Sequence, residues 1–218
     1  MRKIRKFSAP EPSMRRLPAY LHVLTRLLRE NRRYVSCTFI SNELHLDPTQ
    51  VRKDLALTGI VGKPRVGYSV KELIDKIKAF LGWDVKRDAF LVGVGNLGTA
   101  LLGYQRFRLY GLNIVAAFDK DPRRIGKTIF GVDVLPVEKM PNLALRMKID
   151  IGIITVGEDS AQEVADLMVQ GFIKGIWNFV PKALIVPDDV IVENAQLSVS
   201  LGVLTSKMKL SETEKDTK

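Results

Sequence analysis

The chain has 218 residues, 46% of them hydrophobic, with 34 Lys/Arg against 24 Asp/Glu, two histidines and one cysteine. That length holds one medium domain or two small ones, and the lone Cys37 excludes an intrachain disulfide. No apolar run approaches the roughly 20 residues of a membrane span. The basic start "MRKIRKFSAPEPSMRR" lacks the apolar stretch of a secretory signal, so a cytoplasmic protein is expected.

The charge is segregated. Residues 1–87 carry nineteen Lys/Arg and eight Asp/Glu, whereas 88–218 carry fifteen and sixteen. A basic module joined to a neutral one has this pattern, and its natural partner is a polyanion, most often nucleic acid.

Within the basic part, Leu17, Leu21, Leu24 and Leu28 recur at helical spacing, with Pro18 tolerated in a first turn. A second helix starts at Ser36 as N-cap and buries Ile40 and Leu44. The third, in "DPTQVRKDLALTG", has Asp47 as N-cap, Pro48 in the favoured first position, Gln50 completing a capping box and Gly59 as a left-handed stop. At about 100° per residue, Val51 and Leu55 face the other helices. Lys53 points away from them, flanked by Thr49, Arg52 and Ala56. Cations, a hydroxyl and a small side chain on one face suit entry into a major groove. "GIVGKPRVGYSV", 59–70, reads as a β-hairpin with Lys63 and Arg65 at its tip, and "VKELIDKIKAFLGW" as a helix turning Leu73, Ile77 and Phe80 inward. Residues 1–87 are thus expected to form a winged helix-turn-helix DNA-binding domain.

From residue 88 the order is strand ("AFLVGVG"), helix (97–110), strand ("NIVAAFD"), a loop and short helix, then strand ("DIGIITVG"). This alternation argues for a Rossmann-type, doubly wound parallel sheet over 88–193. Gly93, Gly95 and Gly98 turn the first strand into the first helix at a dinucleotide-binding spacing, and Asp119 follows Gly98 by 21 residues. Asp119 can accept hydrogen bonds from an adenosine ribose and would repel a 2′-phosphate, which favours NAD(H) over NADP(H). Lys120, Arg123 and Arg124 beside it dilute that preference. Thr155, Val156 and Gly157 end the third strand at the ligand-binding edge. "GIWNFVP" is a further strand whose Asn178 faces either the crevice or a structural turn. A helix over 194–210, with Leu197, Leu201, Leu204 and Met208 in one stripe, covers its own sheet or a partner subunit, and 211–218 reads as disordered.

A dehydrogenase needs an acid–base group beside its substrate. His22 and His45 both lie in the basic part, no His/Cys cluster suggests a metal, and no Ser-His-Asp set can be built. Lys174, Lys182 and Tyr104 remain as options, but no separate substrate domain is present. No catalytic residue is assigned: the cofactor reads as a signal, not a reagent.

In order and spacing, "RRLPAYL", "QVRKDL", "RVGY", "GVGNLG", "FDKDP", "TVG…AQ", "GIWNFVP" and "VEN" resemble the Rex family of bacterial redox-sensing transcriptional repressors over nearly the whole chain. The resemblance implies a homodimer with exchanged C-terminal helices, bound to an inverted-repeat operator in double-stranded DNA. It implies release by NADH, with NAD+ a poor releasing signal. Cofactor contacts are then expected along Gly93, Val94, Gly95, Asn96, Leu97 and Gly98, at Asp119 and Lys120, at Thr155, Val156 and Gly157, and at Tyr104 near the nicotinamide. DNA contacts are expected from Thr49, Gln50, Arg52, Lys53, Ala56, Lys63 and Arg65. The chain departs from many family members at Gly157, at Leu57-Thr58-Gly59, after the wing arginine, and at Gln196-Leu197, where Asp and an aromatic are common. A dehydrogenase with a fused regulatory domain and a CoA-binding regulator remain alternatives.

Overall fold

A computed structural model describes residues 10–195 and 197–216. The chain forms two compact units. One extends to Lys86 and takes in Arg108–Gly111, and the other comprises Arg87–Phe107 and the chain from Leu112 onward.

The first unit consists of α1 (Glu11–Arg29), β1 (Tyr34–Val35), α2 (Cys37–Leu44), α3 (Pro48–Ala56), β2 (Tyr68–Ser69) and α4 (Val70–Leu81). Local chemistry sets the helix starts. Ser36 Oγ accepts the Phe39 N–H at 3.1 Å, Asp47 Oδ1 accepts the Gln50 N–H at 2.9 Å, and Ser69 caps α4. Leu17, Tyr20, Leu24, Ile40, Val51, Leu55, Leu73 and Ile77 meet in one core. Each large apolar side chain buried there contributes about 1.5–3 kcal/mol.

Three details differ from the sequence expectation. Helix α1 begins at Glu11, so Pro18 lies inside it, and Leu27 is buried where Leu28 was expected. The wing is not a regular hairpin: β2 pairs with β1, and the tip is a tight turn closed by Lys63 and Gly67. Pro64 and the left-handed Arg65, at φ 62°, make that turn. Gln50 does not return to the Asp47 N–H; its side chain bonds Asp54 instead.

The second unit contains β3 (Arg87–Val92), α5 (Asn96–Leu102), β4 (Leu112–Asp119), β5 (Thr128–Ile129), β6 (Val132–Pro136), α6 (Met140–Met147), β7 (Ile151–Ile154), α7 (Ala161–Gln170), β8 (Gly175–Asn178), β9 (Ile191–Asn194) and α8 (Leu197–Asp216). The sheet order is β5-β6-β4-β3-β7-β8-β9, parallel except for β5. Central β3 is flanked by β4 and β7. The strand order therefore reverses at β3, and its carboxyl end opens a crevice. The helix expected over 97–110 ends at Leu102 and gives way to a 3-10 turn over Gln105–Tyr110. Strands β5, β6 and β9 join the sheet beyond those expected. The last helix continues through the segment read as disordered to Asp216, and residues 217–218 lie outside the described ones.

Candidate functional site

At the carboxyl ends of β3, β4 and β7 lies a cleft of about 520 Å³. Gly93 forms its floor at φ 98°, where a Cβ would come within 2.8 Å of the Thr155 carbonyl. Thr155 Oγ1 donates to the Gly93 carbonyl at 2.7 Å, and the Gly93 N–H donates to Phe118 O at 2.8 Å, so three strand ends are laced together. A Cβ on Gly95 would find only Arg124 Nη1, at 3.9 Å, and one on Gly157 would find nothing within 4 Å. These two positions leave room for a ligand to approach the backbone.

Asp119 has a role the sequence did not reveal. Its carboxylate is 6% exposed and accepts the Val94 N–H at 2.7 Å, the Asp121 N–H at 2.9 Å and Arg124 Nη1 at 3.0 Å. Burial pushes its pKa up, but the two backbone N–H groups and the guanidinium outweigh that and hold it below the ordinary carboxylate value. Asp119 thus fixes the glycine loop, with lone-pair capacity left mainly on Oδ1. Lys120 Nζ donates to Ser160 Oγ at 3.1 Å across the cleft mouth.

Of the expected cofactor contacts, Gly93, Gly95, Asp119, Lys120, Thr155, Val156 and Gly157 line this cleft. Gly98 packs beneath it against the Gly93 carbonyl, and Val94 is buried. Asn96, Leu97 and Tyr104 are exposed and do not line it; Tyr104 meets Phe107 edge-on at 4.8 Å. Arg124 and Ser160 do line it and were not expected as contacts. The signal for Ser160 was available, since the loop after β7 must reach the same sheet edge. Asn178 is fully buried and bonds Val180, Lys182 and Asn194, so it staples β8 to β9 instead of facing ligand. Neither histidine lines this cleft: His22 Nε2 stands 3.5 Å from the Tyr110 hydroxyl and His45 ends α2, both within the first unit.

On α3, Thr49, Arg52, Lys53 and Ala56 are exposed, while Val51, Asp54 and Leu55 are buried. Asp54 is a buried carboxylate at the base of this face. It accepts Arg16 Nε at 2.6 Å, Arg16 Nη2 at 2.8 Å, the Tyr20 hydroxyl at 2.6 Å and Gln50 Nε2 at 2.8 Å. Burial raises its pKa, but these donors more than offset that and bring it down to about 2. The network bolts α3 to α1 and holds Gln50 inward; Gln50 is half-buried, unlike the other expected contacts on α3. Lys63 and Arg65 are exposed at the wing turn.

The family described as "CoA binding domain" matches residues 84–182, and that described as "Putative DNA-binding protein N-terminus" matches residues 8–56. The redox-sensing transcriptional repressor Rex of Treponema denticola is 48% identical over 201 residues, covering 91% of this chain and 96% of that protein. The chain belongs to the Rex family. Rex of Bacteroides fragilis is 41% identical over 205 residues, covering 94% of this chain and 93% of its own. The crystal structure of RSP with β-NAD+ and operator DNA is similar at a TM-score of 0.89 and 38% identity, covering 97% of each chain. RSP with β-NADH gives 0.88 and 38%, covering 98% of this chain and 100% of that one.

Membership makes this chain a redox-sensing, DNA-binding repressor of winged-helix and Rossmann architecture. Gly157 opens onto the cleft. Gln196 lies outside the described residues. No helix among the described residues is long and apolar enough to cross a membrane.

Proposed function

We propose that this Rex-family chain holds an inverted-repeat operator as a homodimer in the cytoplasm and lets it go when NADH fills the glycine-loop cleft. The observation that carries the reading is the joining, in one Rex-family chain, of a glycine-loop cleft lined by Gly93, Gly95, Asp119 and Thr155 to a unit whose α3 exposes Arg52 and Lys53. The cofactor is read, not turned over, and no catalytic residue is assigned. Gly95 and Gly157 give the pyrophosphate close access to backbone, and the remaining lone-pair capacity of Asp119 Oδ1 takes a ribose hydroxyl. RSP has been seen with β-NADH, and with β-NAD+ and operator DNA together, which supports the same pairing of ligands here.

The DNA side of the proposal rests on Thr49, Arg52, Lys53 and Ala56 in a major groove, with Lys63 and Arg65 reaching the backbone or a minor groove beside it. Gln50 joins them only by leaving Asp54. Adding NADH, NAD+, NADPH and CoA in turn to a complex of the protein with operator duplex tests the whole reading. NADH is expected to release DNA at the lowest concentration, and NAD+ to compete for the cleft with little release. Release by CoA alone, or by none of the four, overturns it.

A further inference from the structure

The first unit carries a second basic surface that neither α3 nor the wing turn includes. A cleft of about 540 Å³ opens between the end of α1 and the start of α4. Arg32, Arg33 and Lys71 line it together with Asn31, Tyr34 and Ser69, and no carboxylate is among the residues lining it.

The chain path brings these cations together. Asn31 turns the backbone at φ 58° after α1, and the Arg32 N–H bonds back to Leu27 O at 2.9 Å. Tyr34 then pairs with Ser69, and the Val70 N–H donates to the Arg33 carbonyl at 3.0 Å. Arg33 and Lys71, thirty-eight positions apart in sequence, therefore stand on adjoining strand and helix ends. The Arg32 guanidinium is held over the Phe39 ring, 4.4 Å from its centroid. Neither Arg33 nor Lys71 has an ion-pair partner among the described residues. Lys63 of the wing turn lies 5.8 Å from the Tyr34 ring centroid, so the cleft and the wing adjoin through one tyrosine. Three cations that line one cleft, with no carboxylate among its lining residues, suit it to seat an anion.

We propose that this cleft seats a phosphate of the operator backbone, flanking the base pairs addressed by α3 and the wing. The inference rests on the reading of the first unit as the DNA-binding module. It extends the binding surface along the duplex by cations that carry no sequence information: they add affinity and salt dependence but no base preference.

The test uses the full-length protein and two duplexes bearing the same inverted repeat, one ending at the repeat and one extended by ten base pairs on each side. The double variant Arg33→Ala/Lys71→Ala is compared with Lys53→Ala and wild type, all checked for an unchanged thermal midpoint. On the long duplex the double variant is expected to bind several-fold more weakly. The slope of log K against log salt should become shallower by about 0.9 for every phosphate that the dimer as a whole ceases to neutralise. On the short duplex it is expected to match wild type, whereas Lys53→Ala weakens binding to both. Unchanged affinity and slope on the long duplex, with Lys53→Ala still weakened, overturns this proposal and leaves the reading of α3 standing. An equal loss on both duplexes overturns the flanking placement. If Lys53→Ala also changes nothing on either duplex, the DNA-binding reading of the unit falls with it.

Discussion

Two aspartates show how far a single residue's role can be read from its neighbours in sequence. Asp119 stands out as a candidate ribose acceptor because its distance from the glycine loop is a local spacing; its three bonds to Val94, Asp121 and Arg124 depend on a loop folding over it. Replacing it with alanine is expected to cost about 1–3 kcal/mol of NADH affinity, since charged hydrogen bonds are removed and the Val94 N–H is orphaned. Calorimetric titration checks this, and equal affinity in variant and wild type places the ribose elsewhere. Asp54 is hidden for a different reason: an acidic residue in a basic helix reads as solvated, and only the tertiary fold brings Arg16 and Tyr20 onto it. Asp54→Asn should destabilise the first unit by about 3 kcal/mol, as a buried pair loses one charge while Arg16 keeps partial access to water. The pH dependence has a definite sign. A carboxylate brought down to about 2 stabilises the fold above its unfolded value near 4, and that contribution is lost as pH falls from about 4 toward 2. Urea midpoints measured over that window should fall more steeply for wild type than for Asp54→Asn.

At the scale of elements, the helix starts are readable in the sequence and the short strands are not. Ser36 and Asp47 declare their helices by a side-chain bond three residues long. Strands β6 and β9 exist because β4 and β8 offer them edges, a long-range fact with no local signature over four or five residues. The 97–110 helix is overextended in the sequence reading because its apolar pattern continues past Gly103, where a Cβ would strike the Phe130 ring at 2.9 Å. The wing turn lends itself to a direct test. Arg65 occupies a left-handed conformation that costs a non-glycine residue about 1–3 kcal/mol. Arg65→Gly should therefore leave the thermal midpoint unchanged or raise it, while weakening operator binding as much as Arg65→Ala does. A glycine variant with wild-type DNA affinity across a salt series would show that the arginine serves only the turn.

For the whole molecule, α8 leaves Val199, Leu201, Val203, Leu204, Met208 and Leu210 at least half exposed. A lone chain gains nothing from such a surface, and it is expected to be covered by a partner chain. Ending the chain at Asn194 is expected to give monomers by sedimentation, with operator affinity reduced because two half-sites no longer bind together. Within the dimer, if NADH and operator prefer different arrangements, each weakens the other by the same factor, on the order of 1–3 kcal/mol per event. Measuring DNA affinity at saturating NADH, and NADH affinity at saturating operator, tests that equality. Identical values with and without the second ligand would remove redox control. The allotment of Arg108–Gly111 to the first unit bears on how the protein can be dissected. A fragment cut after Arg87 leaves Trp83 without Tyr110, whose ring centroid lies 4.6 Å from its own, and deprives the Trp83 and Val85 carbonyls of the glycine packed against them. The boundary that charge marks so clearly is thus not a clean line of cleavage. A protease nicking the chain near residue 87 would release a headpiece missing one of its own parts, one that melts below the temperature of the same unit in the intact chain.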